Sequence, residues 1–155
     1  MQPLNLPKTN LKIVEKNERR TIFDPFRRKY VTLTPEEWVR QHFVHFLVEH
    51  KGYPASIIAN EVALELNGTK KRCDTVIYDN EAQPLMIIEY KASSVEITQE
   101  VFNQISRYNI KLRVKWLIVS NGLQHYCCRV DYDGMHYCFV PDIPTYETIK
   151  EDALR

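Results

Sequence analysis

Hydrophobic and polar positions change period several times along this chain, and the first change begins a helix. Thr34-Pro35-Glu36-Glu37 combines an N-cap threonine, a first-turn proline and a glutamate at the third helical position. Apolar residues then recur on one helical face, at Val39, Phe43, Phe46 and Leu47. Gly52 and Pro54 end this pattern, so the sequence predicts a helix that begins after Thr34 and ends before Gly52.

From residue 61 the period becomes two, which is the pattern of half-buried strands. Three strands are predicted in succession, at residues 61–66, 72–78 and 85–91. Asn67-Gly68 is a strong turn signal after the first strand, and Asp79-Asn80 marks a turn after the second. The third strand is apolar on both faces over residues 85–88, which is typical of a central strand.

Helical spacing returns at residues 96–109, where one face carries Ile97, Val101, Ile105 and Tyr108. A fourth, buried strand is predicted at residues 116–119, a hairpin at 123–130 and 135–140 around Asp133-Gly134, and a short helix at 145–152. The predicted order is therefore α-β-β-β-α-β plus a C-terminal hairpin. This order indicates an α/β fold in which a central mixed sheet is flanked by helices.

The 155 residues are expected to form a single domain, since no repeat or linker divides the sequence. Within residues 1–155, residues 1–30 are expected to form a basic arm or subdomain, residues 31–125 the core, and residues 126–155 the hairpin and tail. The 44% hydrophobic and 26% charged residues are ordinary for a globular protein. The sequence has no visible secretory signal and no apolar run of membrane-spanning length, so a cytoplasmic protein is expected.

The formal net charge is only +1, so a polyanion would have to be bound by a local basic patch. The N-terminal run supplies one candidate patch, made of Lys16, Arg19, Arg20, Arg27, Arg28 and Lys29. A second candidate is the cluster Lys70, Lys71 and Arg72. The alternative interpretation is that both runs are simply solvated surface.

The end of the third predicted strand carries charged residues where an apolar strand would not need them. Side chains two positions apart on a strand share a face, so Glu89 and Lys91 point to the same side. Asp74 lies on the preceding strand, and fourteen residues separate it from Glu89. If these strands are neighbours, the two carboxylates come close together, and a divalent cation such as Mg²⁺ would relieve their repulsion. The alternative is a solvated surface pair worth well under about 1 kcal/mol.

A repeated H-x-C pattern offers a second candidate metal site in the predicted hairpin. With a turn centred on Tyr132-Asp133, Cys127 would lie opposite Cys138, and both would share a face with His125 and His136. Two histidines and two cysteines suit tetrahedral Zn²⁺. We prefer the alternative of an ordinary half-exposed hairpin face, because adjacent strand positions spread four ligands over a flat surface.

Several motifs together resemble a known nuclease family. Residues 71–78 (KRCDTVIY), followed at the stated spacing by residues 89–92 (EYKA), resemble the PD-(D/E)XK nuclease signature, although Cys73 stands where the motif's proline would be. More closely, the chain resembles the N-terminal nuclease domain of type I restriction enzyme R subunits over roughly residues 30–125. That closer resemblance rests on the helix opening TPEEWVRQ, on Gln104 and Tyr108, and on VSNG at residues 119–122.

This resemblance implies a restriction-endonuclease-like fold and a metal-dependent endonuclease that hydrolyses DNA. It implies that Asp74 and Glu89 bind Mg²⁺, for which Mn²⁺ would substitute, and that Lys91 positions or activates the attacking water. Glu37 would approach the metal, and Gln104 would touch the phosphate or orient Lys91. The candidate DNA-binding residues are Arg27, Arg28, Lys70, Lys71, Arg72 and Tyr108. For Glu37 the alternative is a structural role in the helix cap, and for Tyr108 a place in the core.

The resemblance also implies partners. These are DNA and the motor and specificity subunits of a restriction system, since the sequence has no GxxxxGK[ST] loop of an ATP-driven motor. Concerted cutting of both DNA strands would further require a homodimer. The rival interpretations are a non-catalytic DNA-binding or assembly module that keeps the fold, a phosphodiesterase that acts on RNA or a nucleotide, and an unrelated α/β domain.

Overall fold

A six-stranded mixed sheet with helices on both faces organises the chain, and a separate three-stranded sheet precedes it. The computed structural model describes residues 1–133 and 136–154. The N-terminal sheet contains β1 (Ile13–Lys16), β2 (Arg19–Asp24) and β3 (Lys29–Thr32). The remaining elements are α1 (Pro35–His50), a short 3₁₀ helix (Ala55–Ile57), β4 (Ile58–Leu66), β5 (Thr69–Tyr78), β6 (Pro84–Tyr90), α2 (Gln99–Leu112), β7 (Trp116–Ser120), β8 (His125–Asp131), β9 (His136–Val140) and α3 (Tyr146–Ala153).

The strands of the large sheet lie in the order β4-β5-β6-β7-β8-β9. All neighbouring pairs are antiparallel except β6 and β7, which are parallel. A parallel pair needs a crossover connection, and α2 supplies it. The predicted α/β fold with a central mixed sheet between helices is therefore confirmed, as is the predicted order of its elements.

Two apolar clusters cover the two faces of β6, the central strand. Met86, Ile88 and Tyr90 pack in one cluster with the buried residues of α1, and Ile87 packs in the other with those of α2. Every residue from Leu85 to Tyr90 is buried. The prediction that this strand is apolar on both faces is thus confirmed, and the end of the strand is a buried position for polar side chains.

The start of α1 is also as predicted. Thr34 is its N-cap, and the Thr34 hydroxyl accepts a hydrogen bond of 3.0 Å from the Glu37 N–H, with Pro35 as the first helical residue. This cap satisfies one of the backbone donors that a helix leaves unpaired at its N-terminus.

The N-terminal strands were not predicted from the hydrophobic pattern, which indicated only a basic arm or subdomain. They pair as an antiparallel meander, with Val14 opposite Thr21 and Phe23 opposite Tyr30. Asn17 and Glu18 both have positive φ (54° and 61°), as in the tight turns that connect hairpin strands. Charged residues are frequent in this segment, so apolar and polar positions do not alternate clearly enough in the sequence to indicate strands.

The hairpin register predicted for β8 and β9 is wrong. Cys127 pairs with Val140 and Arg129 with Cys138, a shift of two residues. Gly134 and Met135, which belong to the predicted hairpin, lie outside the described residues. Cys127 is buried and Cys138 is exposed. Among the described residues, no group of three or more His, Cys, Asp or Glu side chains is placed to hold a metal, so the zinc hypothesis has no geometric support.

Asp24 connects the N-terminal sheet to the large sheet. Its fully buried carboxylate accepts hydrogen bonds from the Phe26 N–H (2.8 Å), from Asn60 Nδ2 on β4 (3.0 Å) and from the Arg27 side chain. Burial opposes ionisation of Asp24, but the hydrogen bonds from Asn60, Arg27 and Phe26 outweigh it and lower the carboxyl pKa. The charged form of Asp24 therefore stabilises the folded state.

We expect Asp24→Asn to lower the free energy of unfolding by about 2 kcal/mol at neutral pH. The new amide NH₂ group would face the hydrogen-bond donors of Phe26, Arg27 and Asn60, which now donate to the carboxylate. A group whose pKa is lowered by folding contributes stability above its ordinary pKa and loses it as the pH falls. The difference between the two proteins should therefore shrink below about pH 4. Urea unfolding at several pH values measures this, with the exposed Asp142→Asn as control; a difference independent of pH would contradict the assignment.

Candidate active site

A cavity of about 360 Å³ opens where the C-terminal end of β6 faces α2. Its walls come from β5, from the end of β6 and from one face of α2, and they consist of Lys71, Asp74, Glu89, Tyr90, Lys91, Gln104, Ile105 and Tyr108. A larger cavity of about 470 Å³, between α2 and β9, is lined mainly by apolar and neutral side chains. The smaller cavity is lined instead by two adjacent carboxylates and two lysines, which are groups capable of acid–base or metal chemistry.

Asp74 and Glu89 lie side by side because β5 and β6 are antiparallel neighbours, as predicted. The register pairs Thr75 with Ile88, so Asp74 and Glu89 follow at the next position. The Asp74 N–H lies 3.4 Å from Glu89 Oε2, and the Tyr90 N–H donates to Asp74 Oδ2 at 2.9 Å. The backbone of each strand thus holds the carboxylate of the other.

The Glu89 carboxylate is buried at a place where negative charge is unfavourable. Burial and the neighbouring Asp74 carboxylate raise the pKa of Glu89 to about 7, although the ammonium of Lys71 acts in the opposite direction. Lys71 on β5 forms an ion pair with Glu89 Oε1. A side-chain cation thus partly compensates the two carboxylates.

Lys91, together with Gln104 and Tyr108 of α2, completes the lining of the cavity. Lys91 follows the last residue of β6, and its N–H donates to the Ser120 carbonyl at 2.9 Å, which fixes its backbone beside β7. Gln104 and Tyr108 lie one helical turn apart, and both side chains are exposed. Tyr108 is 52% exposed, so it does not belong to the core. The structure therefore brings Lys91, Gln104 and Tyr108 to the two carboxylates.

Glu37 does not line this cavity. Its buried carboxylate accepts hydrogen bonds from Arg27 Nη2 at 2.6 Å and from Gln41 Nε2 at 3.0 Å. Its backbone N–H is the one capped by Thr34. The geometry favours the structural alternative for Glu37, and a metal site would depend on Asp74 and Glu89.

The candidate DNA-binding residues are spread over three places. Lys71 and Tyr108 line the cavity, whereas Lys70 and Arg72 are exposed on β5 beside it. Arg28 is exposed in the turn before β3. Arg27 is bonded to Asp24 and Glu37, so its guanidinium already has acidic partners.

Arg40 is a positioning residue that sequence reasoning missed. Its Nη1 donates to the Asp74 carbonyl at 2.6 Å, and its Nη2 donates to Glu61 Oε1 at 2.7 Å. Its Nε lies 3.2 Å from Glu37 Oε2. One buried guanidinium therefore ties α1 to the backbone of β5 at Asp74. The signal was present, because Arg40 follows Glu37 by three residues and so shares its helical face.

The donor set suits Mg²⁺. This ion is usually bound through one or two carboxylates and keeps several waters, so it does not need a cage of three or more protein ligands. Asp74 and Glu89 supply two carboxylates in a cavity with space for water, and their mutual repulsion favours a cation between them. The ammonium of Lys71 already stands where positive charge is favourable.

Comparisons with known proteins first define the class of fold. A fragment of a putative HsdR subunit of a type I restriction enzyme from Vibrio vulnificus YJ016 is similar in structure, with a TM-score of 0.56 at 18% sequence identity. The match covers 78% of this chain and 25% of that chain, so this chain spans about a quarter of that protein's length. At this identity the similarity shows a shared fold.

The family follows from the sequence. The family model for the type I restriction enzyme R protein N terminus matches residues 35–144, which is more than half of the chain, and the chain belongs to this family. No curated protein matches it in sequence. Among the described residues, no helix is long and apolar enough to cross a membrane.

We expect Arg40→Gln to lower the free energy of unfolding by about 3 kcal/mol, because it removes a buried cation that lies against the buried Glu37 carboxylate and donates to the Asp74 carbonyl. The matched control is Arg72→Gln, since Arg72 pairs with the same Glu61 but its side chain is 68% exposed, and its loss should cost less than about 1 kcal/mol. Urea unfolding of both variants measures the difference. Equal losses would show that Arg40 does not hold α1 to β5.

Proposed function

We propose that this chain is a metal-dependent endonuclease domain that hydrolyses DNA phosphodiester bonds. The observation that carries the proposal is the convergence of Asp74, Glu89 and Lys91 on one cavity. Membership in a restriction enzyme subunit family supports a DNA substrate. The spacing of Asp74, Glu89 and Lys91 in the sequence also resembles the PD-(D/E)XK nuclease signature, and we propose that the site is of this kind.

In this proposal Asp74 and Glu89 hold Mg²⁺, or Mn²⁺ in its place. Bound magnesium would lower the pKa of a coordinated water and neutralise negative charge on the phosphate. Lys91, fixed at the end of β6, orients the attacking water through its ammonium. The same positive charge stabilises the oxygens that become more negative during the reaction.

The walls of the cavity suggest how DNA is held. Gln104 and Tyr108 project from α2 and would contact the scissile phosphate or orient Lys91. The exposed Lys70 and Arg72 would neutralise neighbouring phosphates, and Arg28 would add a more distant contact. Such contacts give affinity and salt dependence without choosing a sequence.

Partners follow from the family. A restriction enzyme R subunit works with specificity and motor functions, so we propose that the chain acts with such subunits on DNA in the cytoplasm. Cutting both strands together would require two copies of the active site, and a homodimer would provide them.

The second candidate is a non-catalytic DNA-binding or assembly module. The ion pair between Lys71 and Glu89 favours it, because a lysine that stays on Glu89 would occupy the space that a metal needs. The two candidates differ in whether that ion pair gives way to a divalent cation.

Plasmid nicking tests the catalytic proposal. We expect cutting with Mg²⁺ or Mn²⁺ but not with EDTA, and a loss of at least about 100-fold in Asp74→Asn, Glu89→Gln and Lys91→Met, which is typical for removal of a catalytic group. The controls are Glu65→Gln and Lys150→Met, two exposed residues outside the cavity. Cutting that survives in all three cavity variants would locate the activity elsewhere.

Titration calorimetry with Mn²⁺ separates the two candidates. We expect Lys71→Met to bind Mn²⁺ about tenfold more tightly than the unmodified protein, because a repelling positive charge is removed from the site. Lys70→Met is the control, since Lys70 neighbours Lys71 but is exposed. Absence of Mn²⁺ binding in both the unmodified protein and Lys71→Met would favour the non-catalytic module.

A further inference from the structure

The N-terminal sheet has one face that packs inward and one that does not. Ile22 and Asp24 of β2 are fully buried. The alternate residues, together with their cross-strand partners, form the opposite side, which we call the outer face: Lys12, Val14, Lys16, Arg19, Thr21, Phe23, Tyr30 and Thr32. None of these eight residues is buried, so the sheet presents a continuous surface to solvent.

Two aromatic rings lie at the end of the outer face that adjoins the turn between β2 and β3. Phe23 and Tyr30 are directly opposite on β2 and β3, with ring centroids 5.2 Å apart and an interplanar angle of 62°. Tyr30 is 49% exposed, an unusual place for so large a ring. Val14 on β1, 44% exposed, extends the apolar surface.

One cation of the outer face lies over one of these rings, and two more lie at the opposite end of the face, four residues away along β2. Lys12 places its ammonium 5.6 Å from the Phe23 centroid, and Lys16 and Arg19 are paired across the first turn, both exposed. Among the described residues of the outer face none is acidic, because Glu15 points to the opposite side and Glu18 lies in the turn. The face therefore carries three positive charges although the chain has a net charge of only +1.

Exposed aromatic rings among lysines and arginines are the features with which proteins bind unpaired nucleic acid. Bases stack on the rings while the cations neutralise the backbone. A duplex keeps its bases stacked on one another and cannot use the rings, and the core of a protein–protein interface is usually depleted in charge. Charge complementarity thus favours a polyanion with accessible bases.

We propose that the outer face binds single-stranded DNA, with a base stacked on Tyr30 and phosphates held by Lys12, Lys16 and Arg19. None of these residues lines the cavity of Asp74 and Glu89. The inference goes beyond the proposed cleavage and needs no metal, so it can fail or succeed independently of nuclease activity.

Fluorescence anisotropy in EDTA tests the proposal, with a labelled oligothymidylate of about 16 nucleotides, the upper end of common site sizes. Tyr30→Ala should weaken binding about tenfold, the scale of one lost stack, whereas Tyr30→Phe should bind like the unmodified protein. Lys16→Gln/Arg19→Gln should weaken binding and reduce the magnitude of the slope of log K against log salt by about 1.4, which is about 0.7 for each cation removed from a single strand. The controls are Phe139→Ala, which removes a ring that is 45% exposed, and the exposed Lys150→Gln.

Several results would overturn the proposal. If Tyr30→Ala binds the oligothymidylate like the unmodified protein, Tyr30 does not stack on a base. The same conclusion follows if Phe139→Ala loses as much affinity as Tyr30→Ala. Tighter binding of a duplex or of oligouridylate than of oligothymidylate would assign the face to another nucleic acid. A dimer in sedimentation that Tyr30→Ala dissociates would assign the face to a second copy of the chain. Circular dichroism melting verifies that each variant is folded.

Discussion

The pairing of β5 with β6 places two carboxylates beside each other in a partly buried position, and much of the surrounding structure compensates for this. Asp74 and Glu89 are each held by a backbone N–H of the other strand. Their proximity and burial disfavour full ionisation, as the raised pKa of Glu89 indicates. Apolar side chains would be more stable at this position, and this cost supports the proposal that the two carboxylates hold a cation.

A chain of ion pairs connects this position to the N-terminal sheet. Asp24 binds Arg27, Arg27 binds Glu37, and Glu37 lies against Arg40, which donates to the Asp74 carbonyl. Each side chain in this series is at least largely buried, so removing one member would leave a neighbouring buried charge with one partner fewer. The network explains why Glu37 has a structural role in this arrangement: its carboxylate is bound by Arg27 and lies against Arg40. It also couples the placement of α1 to the strand that carries Asp74.

The sequence was informative where the signal is local. The cap at Thr34 and the two apolar faces of β6 depend on residues close together in the chain, and they were predicted correctly. The proximity of Asp74 and Glu89 followed from one turn between neighbouring strands. The register of β8 and β9 was not predicted correctly. A shift of two residues leaves the same side chains on each face of the hairpin, so the hydrophobic pattern does not distinguish the two registers. The pairing of Lys71 with Glu89 and the contacts of Arg40 depend on side chains that meet only after the sheet has formed.

The central claim is that Asp74 and Glu89 form a divalent cation site in which Lys71 gives way. Anomalous diffraction at the manganese edge, from crystals grown with Mn²⁺, tests it most directly. The account predicts one anomalous peak at about 2.1–2.2 Å from an oxygen of each carboxylate, with the Lys71 ammonium displaced from Glu89. No peak at this position, with Lys71 still paired to Glu89, would contradict the account.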